Sequence, residues 1–473
     1  MSDSSAVPTL RGDIGRFQLF AFGFGSIIGS AWCVLVGSWL GAAGPGGAVL
    51  GFLAGGLVIA CIGACYAELT SRIPVTGGEF SFVLHVFGRR PAFYVGWFIA
   101  LAWICVAVFE GLAIAWLFER LAPGIGDAAL YTVLGSTVTR NQLLIGGMGA
   151  PLIALLNYRG GQSLARFHSL ITYAFISVAL VLVALMFSQG AAANLEPLLP
   201  ARQPVWWQGA AAIFANCAFL LCGFQAISQV VEERSAHVSF KTLFRILVLA
   251  VAAATGFYCL VVLATGIVSP WLSIRAGSLA FVEAVRILPG GQILAPVVLV
   301  TAMLSLVKTW NGVFLMAART MIALTRNGLL PDWMNRWHGR SGVPAPIVIA
   351  IFSLNVIGLT LGRGAVGLLV DTITISLVFG YAICCIALPV LRRREQAPGP
   401  GTVTVPGAVV AVGVIGSVVM ACVAIAMPPV LAGGFPPVYL IFPGWGLIGA
   451  VTLAFVRGSR RQPDPLPVTT ELG

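Results

Sequence analysis

Two hydrophobic segments of this chain are interrupted by small residues at matching positions. The first interruption, residues 23–30, reads Gly-Phe-Gly-Ser-Ile-Ile-Gly-Ser, and the second, residues 221–226, reads Leu-Cys-Gly-Phe-Gln-Ala. A helix break in a bilayer survives only where it is buried in protein or lines a polar cavity, because each unsatisfied backbone group in lipid costs several kcal/mol. A pair of such breaks, one at the start of each half of a chain, indicates a substrate site near the membrane midplane.

The composition indicates a polytopic membrane protein. The chain has 473 residues, of which 59% are hydrophobic and only 9% charged, and its mean hydropathy is +0.97. Apolar runs long enough to cross a bilayer recur throughout. We expect twelve membrane spans near residues 17–40, 46–71, 92–118, 141–157, 168–188, 206–230, 243–268, 292–323, 346–362, 365–391, 405–427 and 437–456.

The net charge of +11 reflects topology rather than a nucleic-acid partner. Most basic residues fall in alternate loops, and this bias places both termini in the cytoplasm of a cell (plasma or inner) membrane. The polar start of the chain leads directly into a full-length span, so we expect no cleavable signal peptide. The basic residues of the predicted outer loops are Arg120, Arg140, Arg202, Arg275, Arg286 and Arg363.

Cysteine, histidine and glycine patterns exclude several other functions. All ten cysteines fall inside predicted spans, so we expect no disulfide-linked partner subunit. The four histidines lie singly in cytoplasmic segments, without metal-ligand spacing. No Walker-type lysine follows any glycine-rich stretch, which argues against an ATP-driven pump. We therefore expect no cofactor and no metal.

The matching breaks suggest that spans 1–5 and 6–10 are inverted repeats. The predicted fold is all-α, with twelve transmembrane helices, a 5+5 core with broken helices 1 and 6, and two accessory helices. Two cytoplasmic stretches, 77–90 and 329–334, are expected to be interfacial linkers or inner gates. The predicted divisions are a cytoplasmic N-terminus (1–16), the first repeat (17–188), an outer loop (189–205), the second repeat (206–391), a cytoplasmic linker (392–404), accessory spans (405–456) and a cytoplasmic tail (457–473).

The broken segments suit a zwitterionic ligand. Backbone N–H groups that begin a half-helix favour a carboxylate, and the carbonyls that end the preceding half-helix favour an ammonium group. An α-amino acid presents both charges. An alternative reading is that Gly23, Gly25 and Gly29 only permit close helix packing, although the second break at Gly223 favours a binding site.

Several motifs resemble those of the amino acid–polyamine–organocation transporter superfamily. The resemblance covers spans 1–10 by motif and spans 11 and 12 only by position. It rests on the first break, Gly44-Pro45-Gly46-Gly47-Ala48, the stretch from Tyr66 to Glu79, Asn157-Tyr158-Arg159-Gly160, Gly223-Phe224 and the stretch from Ala318 to Pro331.

This resemblance implies the 5+5 inverted-repeat fold, alternating access, and transport of amino acids or related amines driven by protons or by exchange. It also implies a substrate site that includes Phe219 as an aromatic gate. The sequence departs from many relatives at Ala31, where they have glycine, and at Gln225, where some have an acid. The implied substrate-binding residues are Ser26, Ile27, Ile28, Gly29, Ser30, Ala31, Phe219, Leu220, Leu221, Cys222 and Gly223.

Two charged residues lie deep in predicted spans, Glu110 in span three and Lys308 in span eight. A charge at the bilayer centre costs at least ~2.5 kcal/mol, so such residues usually face a cavity and have a function. Glu110 could bind an amine, accept a coupling proton or pair with Lys308. The resemblance places Lys308 beside the cation site of sodium-coupled relatives, where its protonation could be the coupling event; a static pair or a snorkelling side chain is the alternative.

These features predict a secondary active transporter for an amino acid or related amine, with protons and the lipid bilayer as its other partners. A polyamine or amine exchanger is the alternative within transport, and a membrane sensor with the same fold is the alternative outside it. No convergent set of His, Asp or Ser residues in the spans suggests enzymatic chemistry.

Overall fold

The computed structural model is predominantly helical. Its fifteen helices within the described part of the chain are numbered here in chain order. The residues that the structure describes are 16–29, 31–75, 77–123, 125, 128–159, 163–200, 205–226, 238–273, 279–336, 343–395, 401–432 and 435–458. The helices are α1 (Arg16–Ile27), α2 (Ala31–Val34), α3 (Val36–Arg72), α4 (Glu79–Phe87), α5 (Arg89–Leu121), α6 (Arg140–Arg159), α7 (Ser163–Gln189), α8 (Trp206–Leu220), α9 (Phe240–Val268), α10 (Ala280–Ile287), α11 (Gly291–Arg326), α12 (Ala345–Leu359), α13 (Val366–Arg394), α14 (Gly407–Ala432) and α15 (Val438–Gly458).

Eight helices in the described residues are long and apolar enough to cross a membrane. They are α3, α5, α7, α9, α11, α13, α14 and α15, and they support a multi-pass membrane protein. The segments predicted as spans 1, 4, 6 and 9 form helices that are shorter, interrupted or less apolar. The count of twelve spans and the inverted repeat therefore stay predictions.

The boundary predicted between spans 1 and 2 lies inside one kinked helix. Helix α3 runs from Val36 to Arg72 and bends at Gly44, whose φ of 66° and ψ of 172° are non-helical. Pro45 follows directly and cannot donate a backbone hydrogen bond. A Cβ on Gly44 would lie 2.5 Å from Pro200 Cδ, so glycine is required there for both conformation and space.

One short β-hairpin accompanies the helices in the described residues. Strand β1 (Ala129–Val133) pairs antiparallel with β2 (Ser136–Thr139) through a turn at Leu134 and Gly135, both of positive φ. The backbone N–H of Gly364 donates to Ser136 Oγ at 2.7 Å. The hairpin therefore packs beside the beginning of α13, on the side of the predicted outer loops.

Burial is greatest along α5 and least along α14 and α15. Nearly all of the membrane-length stretch of α5 is buried inside the protein, whereas most of the corresponding stretches of α14 and α15 are not. Helix α5 therefore lies at the centre of the bundle, and its side chains are well placed to face an internal site. The last two helices lie at the periphery.

The two predicted cytoplasmic stretches differ in structure. Residues 77–90 contain α4, which ends at Phe87 and is separated from α5 by Gly88, of positive φ. Residues 329–334 lead into a short 3-10 helix, Asp332–Asn335. The first stretch lies between the membrane-length helices α3 and α5, and the second lies between α11 and the shorter α12.

A buried ion-pair cluster holds three elements together. Glu68 at the end of α3 is fully buried and lies 2.8 Å from Arg72. The Nε of Arg392 on α13 donates to Glu68 at 2.9 Å, and the backbone N–H of Val405, just before α14, donates at 2.8 Å. One carboxylate therefore joins α3, α13 and the approach to α14.

Replacing Glu68 with glutamine is expected to destabilise the protein by about 3 kcal/mol, because two arginines would lose their buried countercharge. Thermal unfolding of the purified protein in detergent measures the effect. Glu395→Gln is the matched control, since Glu395 also binds Arg72, at 2.6 Å, but is one-third exposed. The control should change the free energy of unfolding by about 1 kcal/mol or less. Equal losses in the two variants would contradict the argument that the buried carboxylate of Glu68 contributes more than the exposed one of Glu395.

Candidate functional site

The first helix break lies between α1 and α2. Helix α1 ends at Ile27, the N–H of Ile28 still donates to Phe24 O at 3.0 Å, and α2 begins at Ala31. The carbonyl of Gly29 accepts a hydrogen bond from Trp32 Nε1 at 3.1 Å. Ser30 lies outside the described residues. The small residues at 23–30 thus coincide with a real interruption of the helix.

The second break follows α8. The helix ends at Leu220, and Gly223 then adopts a φ of 104°, which residues with a side chain rarely adopt. The N–H of Gly223 is satisfied by the side-chain oxygen of Gln225, at 2.8 Å. Residues 227–237 are outside the described part of the chain.

The two breaks are in direct contact. A Cβ added to Gly223 would lie 2.5 Å from Ser26 O and 2.8 Å from Ile27 N. Only a glycine lets the backbone after α8 approach the end of α1 this closely. A substitution at Gly223 would therefore disturb a direct contact between two main-chain segments.

A small cavity of about 20 Å³ lies at this junction. Such a volume accommodates about one water molecule, so a ligand as large as an amino acid requires the surrounding helices to move apart. The predicted site residues that line it are Ser26, Ile27, Gly29, Ala31, Glu110, Phe219, Leu220 and Cys222, joined by Val106, Phe109, Tyr258, Thr309 and Val313.

Glu110 faces the first break from the central helix α5. It is only 4% exposed, and its Oε1 would lie 2.6 Å from a Cβ on Gly29. Thr309 Oγ1 of α11 would be 3.5 Å from the same Cβ. The Glu110 carboxylate therefore lies where the side chain of any residue larger than glycine at position 29 would be.

Phe219 meets Phe109 at the cavity wall. Their ring centroids are 5.4 Å apart in an edge-to-face arrangement, which is a favourable aromatic geometry. Phe219 comes from the last turn of α8 and Phe109 from α5. Opening the cavity on this side would require the aromatic pair to separate.

The structure places four predicted site residues away from the cavity wall. Ile28 and Leu221 are fully buried in the surrounding core, and Gly223 contributes backbone contact. Lys308 is 3% exposed, and its Nζ donates to Thr172 Oγ1 of α7 at 3.3 Å. Within the described residues it makes no direct ion pair, although Glu110 is near enough to attract it electrostatically.

Lys308 nevertheless belongs to the helix face that contacts the first break. One turn before it, Ser305 Oγ donates to the carbonyl of Ile28 at 3.4 Å. Thr309, the next residue, lines the cavity. A change in the charge or position of Lys308 would therefore be transmitted to the first break through the contacts of α11.

Comparison with known proteins identifies the family. A family model described as amino acid permease matches residues 14–448, which is most of the chain. The chain belongs to the amino acid permease family. Permeases are transporters rather than enzymes, so the cavity at the junction of the breaks is interpreted as a candidate transport site.

Several curated relatives resemble this permease over most of their length. It is 25% identical to the methylthioribose transporter of Bacillus subtilis, over 84% of each chain. It is 25% identical to the branched-chain amino acid permease BcaP of the same organism, over 85% of this chain and 87% of the relative. The aspartate-proton symporter of Bacillus subtilis is 24% identical, over 80% and 73% respectively.

Five residues that line the cavity of this permease are not predicted from the sequence: Val106, Phe109, Tyr258, Thr309 and Val313. Thr309 directly follows Lys308, so the polar run in span eight carried a usable signal. Val106 and Phe109 lie within one turn of Glu110. Nothing in the sequence distinguishes Tyr258 or Val313 from many similar residues in other spans.

Proposed function

We propose that this permease is a secondary active transporter that carries an amino acid or related amine across the cell membrane by alternating access, coupled to protons, with both termini in the cytoplasm. The observation that carries the proposal is the Glu110 carboxylate, which is buried at the cavity where the two breaks meet. A buried acid at the centre of an apolar bundle is costly unless it has a function.

Recognition would use both the break and the acid. Glu110 and the carbonyls that end α1 would receive the substrate ammonium group, and the N–H groups that begin α2 would receive a carboxylate. Ser26 Oγ is buried beside the cavity and has no hydrogen-bond partner among the described residues. Since buried hydroxyls are usually bonded, it is a candidate substrate contact.

The rest of the cavity favours an apolar substrate side chain. Apart from Ser26, Glu110 and Thr309, its walls consist mainly of aliphatic and aromatic residues and Cys222. One relative is named a branched-chain amino acid permease, and a branched-chain side chain would suit such apolar walls. Binding would require the helices around the narrow cavity to open alternately toward each side.

An amine exchanger is a second candidate, and Glu110 is the observation that favours it. A carboxylate can bind the ammonium group of a polyamine without any help from the break. Counterflow into proteoliposomes, using a labelled panel of amino acids and polyamines, separates the two. Counterflow of amino acids supports the first proposal, whereas counterflow only of amines that lack a carboxylate supports the second.

For coupling we propose Lys308, whose buried side-chain amine would gain a proton and lose it again during the cycle. Lys308→Met is expected to lower gradient-driven accumulation at least about fivefold while counterflow continues, because the neutral thioether of methionine cannot bind a proton. The chain's other lysine, the exposed Lys241, provides the control variant Lys241→Met. Continued accumulation by Lys308→Met against a gradient would remove Lys308 from the coupling mechanism.

A further inference from the structure

Glu79, the first residue of α4, is a buried carboxyl group outside the membrane-length helices. It is 1% exposed and accepts a hydrogen bond from the Tyr66 hydroxyl at 3.4 Å. The two preceding residues, Gly77 and Gly78, have positive φ and turn the chain so that the helix begins with this side chain inside. No ion pair to Glu79 is present in the described part of the structure.

A chain of hydrogen bonds connects Glu79 to the second helix break. The Gln225 side chain interacts with the Glu79 carboxyl group, and its oxygen accepts from the Gly223 N–H at 2.8 Å. Its nitrogen donates to the Tyr381 hydroxyl at 2.7 Å, and this hydroxyl donates to Ala218 O of α8 at 3.2 Å. The cluster therefore joins α4 to both the end of α8 and the break.

Among the described residues, none of the groups that act on Glu79 carries a positive charge. Tyr66 approaches from α3, and Tyr381 and Cys384 approach from α13. Helices α5 and α11 bring apolar residues close to this region, including Ile99 beside Gly380 and Ala323 beside Gly77. Arg394 contacts α4 at its opposite end, where it donates to Val86 O at 2.6 Å.

We propose that Glu79 is a proton-binding residue on the cytoplasmic side that holds α4 against the second break when protonated and weakens this packing when ionised. The inference deepens the proposed transport function, on which its placement at the inner side rests. Gln225 occupies the centre of the cluster but cannot titrate, so the acid that responds to pH comes from α4. The residue acts on the break through Gln225 and is a positioning residue.

The direction of the pH effect follows from burial. Burial raises the pKa of Glu79 from 4.5 to about 7, against hydrogen bonds from its own backbone, Tyr66 and Gln225 that lower it. In the packed state α4 lies against the second break, and in the released state it does not. Between pH 4.5 and about 7 the packed state therefore binds more protons than the released state. Its stability is greatest at low pH, falls as pH rises toward about 7, and then levels off.

Hydrogen–deuterium exchange of the full-length protein in lipid nanodiscs tests this without a substrate. Protection factors, corrected for intrinsic exchange, are measured for residues 79–87 at several pH values. In the wild type, protection should fall more than tenfold between about pH 5.5 and about pH 7 and then become constant. Glu79→Gln should abolish the slope, and Glu79→Asp should keep it.

Two further variants complete the design. Asp332→Asn removes an exposed carboxylate on the same side and should leave the slope unchanged. Tyr66→Phe removes a donor that favours the ionised form, so it should move the end of the slope to higher pH. The shift expected in Tyr66→Phe tests the inference even if Glu79→Gln does not fold.

Two results would overturn the inference: a pH-independent wild type, or a slope that persists in Glu79→Gln. Neither result would affect the proposed transport function, which counterflow measures separately. Conversely, if the wild type failed to transport any substrate, hydrogen–deuterium exchange would still test the role of Glu79.

Discussion

Replacing Glu110 with glutamine is expected to lower substrate uptake on the order of a hundredfold. The carboxylate lies beside Gly29 at the first break and is only 4% exposed. A buried acid that pairs with a substrate ammonium group contributes about 2–5 kcal/mol, judged by truncation of similar pairs. Initial rates of counterflow, normalised to reconstituted protein, measure the loss.

The matched control for this prediction is Glu119→Gln on the same helix. Glu119 pairs with Arg363 at 2.8 Å near the C-terminal end of α5 and does not line the cavity. It should retain most of its uptake. Retained uptake and unchanged selectivity in Glu110→Gln would show that Glu110 lies outside the functional site.

Replacing Gly223 with alanine is expected to lower transport at least about tenfold. Its φ of 104° is unfavourable for alanine, and the new Cβ would lie 2.5 Å from Ser26 O. Backbone atoms cannot relax as a flexible side chain does, so the two breaks would have to separate. Strain of this kind costs about 1–3 kcal/mol from the backbone conformation alone.

Gly256→Ala is the control for this steric argument. Gly256 lies inside α9, and an added Cβ would meet nothing within 4 Å. Alanine there should leave transport intact and stabilise the helix by about 0.5–1 kcal/mol. Wild-type transport by Gly223→Ala would contradict the close approach of the two breaks.

The sequence predicted the helix breaks because glycine and serine are unusual at those positions for a simple span. Gly29 and Gly223 interrupt apolar runs, and both lie at the junction in the structure. Glu110 stands out in the sequence because a charge is costly within an apolar segment. These signals are local, so they can be read without knowing which helices are neighbours.

Other features depend on contacts between distant residues and could not be predicted. Nothing in the sequence shows that Gln225 lies beside Glu79, or that Lys308 points toward Thr172 rather than into the cavity. Glu68 and Arg72 form the local pair that their spacing predicts, but Arg392 joins them from far along the chain.

The β-hairpin between α5 and α6 has a weak sequence signal. Two short runs that contain β-branched residues, 129–133 and 136–139, flank Leu134-Gly135, but leucine is rarely found at the positive φ that Leu134 adopts in the turn. The hairpin lies between two predicted spans, whose apolar pattern is the stronger signal.

Proton-driven accumulation in proteoliposomes tests the central claim most directly. Labelled amino acids would be supplied outside, with and without an inward proton gradient and without internal substrate. The proposal predicts that the gradient drives accumulation of at least one amino acid above its external concentration. Uptake that ignores the gradient and requires preloaded internal substrate would instead establish exchange and contradict proton coupling.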